Sequence, residues 1–458
     1  MVTKSARFTS ALKRWVRFEQ WLYGASGDPG DSDLDDHAPH PPVEALYNGK
    51  RGISALLHIL LARQTPHVQI VALSADGTEG WLLAESHIAI PSKLFFCDSL
   101  AICLGRQRVL HERAKRRLAE ATCLTTFPIL QIPTEAGVVP SIAVIRFGAW
   151  HLLQKFLDQP KKWLLRRGHW AIAFNNEGLS SNAELFHNTS AIDDAKWWLK
   201  IPCPKDRFYA DPFLWKDQNG HCHLFFEELP YSTEKGVISY VAFDPVTKTL
   251  SGPPQVVLER PYHLSYPFLF EYEGEIFMIP ETSGNRTIEV YRAAPFPTTW
   301  TLYKTLMEDI VAVDATLYLD GATWWLFASV QEDSGPNWDE LFVFFSDNPF
   351  GPWTAHPANP VISDCRRARM GGNVFKDMQN RLIRPAQNCE ESYGGALLFC
   401  EITELTTTTY AERPLFAKRP PAKRSGLHTW NSVGDFTVVD VKMDLNRWAK
   451  DRLIGTRL

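Results

Sequence analysis

Five similar segments recur through the second half of the chain, and each opens on an apolar strand that carries a polar or charged residue. They begin with RFYADPFL at 207–214, HLSYPFLF at 263–270, VDATL at 313–317, RARMGGNVF at 367–375 and GLHTW at 426–430. Their spacing of roughly 45 to 60 residues is the size of a four-stranded propeller blade. The repeat therefore predicts a mainly β fold with a five-bladed β-propeller.

The later part of each repeat contains short runs of β-branched and aromatic residues, bounded by Gly, Asp, Asn or Pro turns. Such runs are typical of short antiparallel strands. The clearest of them lie at 222–226, 236–241, 275–279, 287–291, 323–328 and 341–345. The tryptophans in and after these runs are predicted to fill the core between blades; they are Trp300, Trp324, Trp325 and Trp353.

Polar side chains sit at equivalent places near the start of each repeat. Because the first strand of every blade lines the central channel of a propeller, these side chains are expected to converge on one pocket. They are Asp211, His263, Tyr266, Asp314, Arg369 and His428.

Composition excludes several classes of protein. A net charge of −4 gives no electrostatic footprint for nucleic acid, and no apolar run approaches the length of about 20 residues that a membrane-spanning helix needs. The eight cysteines show no paired metal spacing and are predicted to be free thiols. No phosphate-binding loop, metal site or cofactor is indicated. No secretory signal is visible, so a cytoplasmic location is expected.

The chain divides by pattern into four regions. Residues 1–42 read as a basic helix followed by a polar, turn-prone linker, residues 43–190 as a mixed α/β accessory region, 191–445 as the propeller and 446–458 as a tail. The helix within 1–23 has one apolar and one basic side. It is interpreted either as an interfacial helix in peripheral contact with an anionic membrane or as an ordinary helix packed on the protein body.

Residues from about 168 to 445 carry a set of short motifs that resembles a known family. The motifs are FYADPF at 208–213, FFEE at 225–228, HLSYP at 263–267, IPE at 279–281, VDAT at 313–316, GPW at 351–353, NPV at 359–361, RPAQ at 384–387 and LHT at 427–429. This set resembles the N-terminal domain of glucosamine inositolphosphorylceramide transferases, which is similar to the five-bladed propellers of arabinan- and fructan-acting glycoside hydrolases. The resemblance implies a propeller fold and a carbohydrate context, and it leaves the reaction open.

Glycoside cleavage needs one carboxyl group that protonates the leaving oxygen and one carboxylate that activates water or attacks carbon. The resemblance to the hydrolases makes Asp211 the predicted base or nucleophile, and Asp314 the group that tunes or orients its partners. Their later-blade glutamate is replaced here by the basic segment Arg366–Arg369. Glu281 is therefore the predicted acid, and Glu227 or Glu228 is the alternative.

Cations and aromatic residues are expected in the same channel. A guanidinium binds carboxylate or phosphate through two hydrogen bonds, so Arg369 and Arg384 favour a charged sugar, a sugar phosphate or a nucleotide sugar. The alternative is that both arginines neutralise Asp211 and Asp314 in a buried network. Gln387 and His428 are predicted to bind substrate beside them. The side chains predicted to stack on a sugar ring are Tyr266, Tyr393 and Trp430.

Two functions from different classes follow from these residues. The first is an enzyme that cleaves or transfers a glycosyl unit in glycolipid or surface-polysaccharide biosynthesis. The second is a glycan-binding or scaffolding propeller without catalysis. The ring of acids and cations favours the enzyme, whereas the replaced glutamate favours the binding protein.

Overall fold

The computed structural model describes residues 9–23, 42–121, 123–175, 199–244, 249–332, 335–420, 424–434 and 436–446. Two compact units make up the chain: Met1–Pro160 with Glu332–Pro336, and Lys161–Gln331 with Asn337–Leu458. The predicted linker and the predicted C-terminal tail fall, except for Pro42 and Asn446, outside the described residues.

The first unit is an antiparallel sheet combined with helices, as the sequence predicts. Its helices are α1 (Ser10–Tyr23), α2 (Ile53–Leu61), α3 (Phe96–Glu120) and α4 (Ser141–Leu164, of which the residues up to Pro160 belong to this unit), with a 3-10 turn at Leu124–Thr126. Its strands are β1 (Val43–Tyr47), β2 (Lys50–Arg51), β3 (His67–Leu73), β4 (Glu79–His87) and β5 (Ile129–Gln131). They pair in the order β2-β1-β3-β4-β5, and the buried residues of β3 and α2 share one apolar core.

Helix α1 packs on the body of the first unit. Leu12 is fully buried, Trp15 contacts the rings of Phe147 and His151, and Glu19 accepts hydrogen bonds from the backbone N–H groups of Phe96 and Cys97. The described apolar side chains Leu12 and Trp15 therefore pack against protein. This packing favours the second interpretation of the helix. Among the described residues, no helix has the length and apolar character needed to cross a bilayer.

The described residues of the second unit form five antiparallel sheets, each of four or five strands. The first holds β8 (Arg207–Lys216), β9 (Cys222–Pro230), β10 (Val237–Asp244), β11 (Thr249–Leu250) and β12 (Gln255–Leu258); the second holds β13 (Ser265–Tyr272), β14 (Glu275–Glu281), β15 (Thr287–Ala293) and β16 (Trp300–Glu308). The third holds β17 (Ala312–Asp320), β18 (Thr323–Val330), β19 (Glu340–Ser346), β20 (Thr354–Ala355) and β21 (Ile362–Ser363). The fourth holds β22 (Phe375–Lys376), β23 (Leu382–Asn388), β24 (Ala396–Leu405) and β25 (Tyr410–Lys418).

The fifth sheet closes the ring with strands from both ends of the unit. It pairs β26 (Trp430–Val433) and β27 (Phe436–Asn446) with β6 (Leu165–Asn175) and β7 (Leu199–Lys200). This sheet also contacts the first sheet: the side chain of Asn431 donates a hydrogen bond to the carbonyl of Pro212. The described residues thus confirm the predicted mainly β fold, and their five consecutive sheets are consistent with the predicted five blades.

One predicted boundary needs correction. The sequence assigns the strand at 170–174 to the accessory region and starts the propeller at 191, but β6 forms ladder hydrogen bonds with β27 over most of its length. A blade that combines strands from the two ends of the unit closes the propeller, because it joins the first and last sheets and leaves fewer open edges. The second unit therefore begins at Lys161.

Aromatic side chains fill the space between neighbouring sheets. Phe225 of the first sheet meets Trp300 of the second with ring centroids 5.6 Å apart, and Tyr272 of the second meets Trp324 of the third at 6.1 Å. Trp325 is buried as well. These contacts confirm the predicted tryptophan core between blades.

All eight cysteines are free, and only Cys123 is exposed. A hydrogen bond with Thr125 lowers the pKa of the Cys123 thiol, whereas burial raises that of thiols such as Cys203. Because the thiolate is the reactive form, we expect one thiol to react rapidly with Ellman's reagent in the folded protein and eight to react in denaturant without reductant. A denatured count clearly below eight would show that disulfides form.

Candidate functional site

The innermost strands of the first three sheets share one irregularity. Strands β8, β13 and β17 each carry a register shift at the same place, where Asp211, Tyr266 and Asp314 adopt φ angles of 48°, 44° and 55°. A non-glycine residue in this region is strained, and a bulge redirects the side chain that it carries. The repeated bulge is the local reason that residues from different blades meet.

Asp314 lies at the bottom of this meeting point and is paired with two side chains of the fourth sheet. Its carboxylate is 2.6 Å from Nε of Arg369 and accepts a hydrogen bond from Gln387 at 3.1 Å. Burial raises the pKa of Asp314, and the Arg369 guanidinium opposes that shift. Because both oxygens of the Asp314 carboxylate contact Arg369 or Gln387, Asp314 is suited to hold the Arg369 guanidinium in place.

Asp211 is buried beside a histidine of the fifth sheet. Its Oδ1 accepts a hydrogen bond of 2.7 Å from Thr429 and lies 3.7 Å from Nε2 of His428. Nδ1 of His428 is 2.6 Å from Asp440. Burial raises the pKa of Asp211 to about 6, with His428 opposing the shift. Burial lowers the pKa of His428, but Asp440 and Asp211 outweigh this and raise it overall.

Asp211, His428 and Asp440 are close enough to hold a metal ion, because one ligand atom from each lies within 4.8 Å of the others. Asp440, however, already accepts hydrogen bonds from the backbone N–H groups of Asp211, His428 and Thr429. With the imidazole as its fourth partner, this carboxylate fits a hydrogen-bonded triad that orients His428.

A cavity of about 310 Å³ opens above these residues. Its walls come from the propeller and include three carboxylates, two imidazoles, a guanidinium and four aromatic rings. The lining residues are Trp170, Phe208, Asp211, Glu227, Leu229, His263, Ser265, Glu281, Asn337, Trp338, Arg369, Tyr393 and His428.

The two glutamates in the wall have cationic or ionisable neighbours. Oε2 of Glu281 is 3.4 Å from Arg369, and its Oε1 accepts a hydrogen bond from Ser283. Glu227 is 3.2 Å from Nε2 of His263, whose Nδ1 accepts a hydrogen bond from the backbone N–H of Gly236. A Cβ at Gly236 would come within 2.4 Å of a carbonyl oxygen, so only glycine allows this contact.

Aromatic rings form the remaining wall. Trp170 stacks on His428 with centroids 3.9 Å apart, while Tyr393 lies under the Arg369 guanidinium and beside Trp338. Flat apolar faces next to polar groups suit the binding of a sugar ring. The sequence singled out Tyr393 but missed Trp170, Phe208, Asn337 and Trp338. The sequence could have indicated Phe208, because it belongs to the FYADPF motif that contains Asp211.

Several predicted site residues lie away from the cavity. Glu228 pairs with Arg207 and accepts a hydrogen bond from Ser239, because adjacent residues of a strand point to opposite faces. Arg384 pairs with Glu412 of β25 at 2.7 Å. It therefore neither binds substrate in the cavity nor neutralises Asp211 or Asp314, which were the two predicted roles. Trp430 is buried against Phe399.

Two further residues lie beneath the cavity. Tyr266 is fully buried and bonds to Thr316 and to the backbone N–H of Gly372, so it has no free face for stacking. Gln387 is buried between Asp314 and the carbonyl of Met370. Both support the site without lining it.

The fold and the cavity define a five-bladed propeller with an acidic and aromatic pocket at the meeting point of its blades. Residues 200–452, more than half of the chain, match the family described as "Glucosamine inositolphosphorylceramide transferase 1, N-terminal". The chain belongs to this family, as the motifs predicted.

Named relatives and solved structures are similar to parts of the chain. Glucosamine inositolphosphorylceramide transferase 1 of Oryza sativa subsp. japonica is 37% identical over 231 residues, which is 49% of this chain and 30% of the relative; the Arabidopsis thaliana protein of the same name is 34% identical over 49% of this chain and 29% of the relative. The chain thus spans under a third of these relatives. Among solved structures, the family 117 glycoside hydrolase Zg3597 of Zobellia galactanivorans aligns with a TM-score of 0.36 and 13% identity, over 54% of this chain and 87% of that one. A Dyadobacter fermentans protein of unknown function aligns with a TM-score of 0.34 and 12% identity, over 56% and 85%.

Proposed function

We propose that the propeller pocket binds a carbohydrate and cleaves or transfers a glycosyl unit of a glycolipid or surface polysaccharide. The observation that carries the proposal is Asp211, a buried carboxyl group in the cavity wall whose pKa is raised to about 6. A group that titrates near neutral pH can accept and return a proton during turnover. The names of the relatives support a glycolipid context.

The roles of the other residues follow from their contacts. His428, held by Asp440, faces Asp211 and is placed to stabilise its ionised form. Arg369, held by Asp314, presents a cation to a charged sugar or a phosphate in the cavity. Glu281 remains the predicted acid. Each of its oxygens accepts one hydrogen bond, from Ser283 or Arg369, and keeps a second lone pair. To act as the acid, Glu281 must first carry a proton on one of these oxygens and then give it to the leaving oxygen.

A binding protein without catalysis is the second candidate, and a specific observation favours it. Each carboxylate in the wall has a cationic or ionisable neighbour: Arg369 for Glu281, His263 for Glu227 and His428 for Asp211. A pocket whose acids are all paired can recognise a glycan without donating a proton to it.

Turnover and binding have to be measured together to separate the two candidates. We suggest testing the whole chain against a panel of nucleotide sugars and acidic oligosaccharides, with product analysis and calorimetry on the same samples. Product formation supports the enzyme. Binding without product for every compound that binds supports the glycan-binding protein.

The pH dependence of turnover tests the role of Asp211. If it acts as a base or nucleophile, it must be ionised, and its pKa is raised to about 6. We expect kcat/KM to increase from about pH 5 to about pH 7 and then to level, and the increase to be absent in Asp211→Asn. A decrease of kcat/KM over the same range would instead make Asp211 the proton donor.

A further inference from the structure

Helix α4 carries a stripe of large apolar side chains that no described residue covers. Ile145, Leu152 and Phe156 are 60%, 55% and 75% exposed, and Ile142 and Leu153 are exposed beside them. Their positions, 142, 145, 152, 153 and 156, fall within one side of a 3.6-residue helix, on a face roughly 20 Å long. A contiguous apolar surface of this kind marks an interaction site.

The opposite face of α4 is fixed to the first unit, so the stripe cannot turn inward. Val144 and Phe147 are buried in the apolar core, and Nδ1 of His151 is hydrogen-bonded to the carbonyl of Leu94. Rotating the helix to hide the stripe would break these contacts. Among the described residues, the stripe therefore stays exposed while these contacts hold.

Basic side chains border the stripe on α4 itself, because Arg146 lies one turn after Ile142 and Lys155 lies three residues after Leu152. Helix α1 packs against the other, buried face of α4 through Trp15, and it exposes the basic residues Lys13, Arg14 and Arg17. Its one acidic residue is Glu19, which is buried. The stripe itself contains no acidic side chain. Apolar residues flanked by cations complement a surface that is apolar inside and anionic at its boundary.

A cavity of about 400 Å³ lies between α2 and the N-terminal half of α4. Arg63 and Arg146 contribute to its wall together with Phe147 and Trp150, and the guanidinium of Arg63 lies 4.2 Å from the centre of the Trp150 ring. Nε2 of His58, also in this wall, is buried without a hydrogen-bond partner among the described residues. Two guanidiniums and an unpaired imidazole nitrogen suit a phosphate group.

We propose that α4 docks the first unit on an anionic phospholipid bilayer, with its apolar stripe at the acyl-chain boundary and Arg63 and Arg146 on headgroup phosphates. In this proposal, α4 makes the peripheral membrane contact that the sequence analysis expected of residues 1–23. The bilayer is favoured over a second copy of this chain because two copies would bring their basic residues together, whereas anionic lipid neutralises them.

Vesicle co-sedimentation of the whole chain tests the proposal. We expect binding to vesicles of phosphatidylcholine mixed with phosphatidylglycerol, weak binding to phosphatidylcholine alone, and weaker binding at high salt. Leu153→Asp combined with Phe156→Asp should reduce the bound fraction at least about tenfold, because charges are costly at the acyl boundary. Arg63→Glu with Arg146→Glu should remove the preference for phosphatidylglycerol.

The matched control is Leu302→Asp with Met378→Asp, which charges two exposed apolar side chains of the propeller and should leave vesicle binding unchanged. Circular dichroism should show all variants folded, because every changed residue is exposed. Wild-type protein that stays in the supernatant with both vesicle types overturns the proposal, as does a double α4 variant that binds like wild type. Light scattering can also contradict the proposal. If the wild-type protein does not bind vesicles but forms a dimer, and the α4 variant dissociates that dimer, the stripe binds a second copy of the chain and the membrane proposal is wrong.

Discussion

Replacing Asp211 by asparagine is expected to lower turnover of a glycosyl substrate by about 10²- to 10⁴-fold while leaving the fold intact. Asparagine keeps the shape of the side chain and can still accept the hydrogen bond from Thr429. It cannot take up a proton or attack carbon, so the chemical step is lost and ligand binding is retained. Steady-state kinetics and calorimetry on the same ligand measure the two effects separately.

Comparison variants make this result specific. Asp314→Asn should lose less activity, since Asp314 acts through Arg369, and Glu281→Gln should recover with substrates whose leaving groups need no proton. Asp320→Asn, at the exposed end of the same strand as Asp314, is the matched control and should turn over like wild type. Turnover that is unaffected by Asp211→Asn would contradict the assignment of the catalytic residue.

The largest effect on stability is expected for Arg384→Met. Both Arg384 and Glu412 have fully buried side chains, and they share two hydrogen bonds of 2.8 and 2.7 Å. Removing the guanidinium leaves a buried carboxylate that keeps its contacts with Arg367 and Tyr410 but loses its fully buried cation. This should reduce the free energy of unfolding by about 3–5 kcal/mol, measured by urea denaturation followed by tryptophan fluorescence.

A second change on the same pair checks the reason. Arg384→Met with Glu412→Leu removes both charges and should recover much of the loss, because an apolar pair avoids the cost of burying an unpaired ion. Arg381→Met removes an arginine that is 30% exposed and paired with Asp377, and it should cost less than about 1 kcal/mol. A double variant less stable than Arg384→Met would contradict this explanation.

Much of the site follows from the sequence because the repeat places equivalent residues at equivalent strand positions. Asp211 and Asp314 begin the innermost strands of two blades, and the structure joins them through residues of the fourth and fifth sheets. Glu227 and Glu228 show what the repeat pattern cannot determine. They are neighbours on one strand, so only one can face the cavity, and the register of the strand decides which.

The sequence by itself determined the number of blades, the aromatic core between them and the residues that start each innermost strand, because alternation and turn residues act over a few neighbouring positions. Only the tertiary structure decided which strands close the ring and which charges pair. Leu165–Asn175 joins a strand from the far end of the unit, and Trp170 enters the cavity with it. Arg384 finds Glu412 two strands away. These pairings depend on how the whole propeller closes. A sequence pattern over a few neighbouring residues does not contain that information.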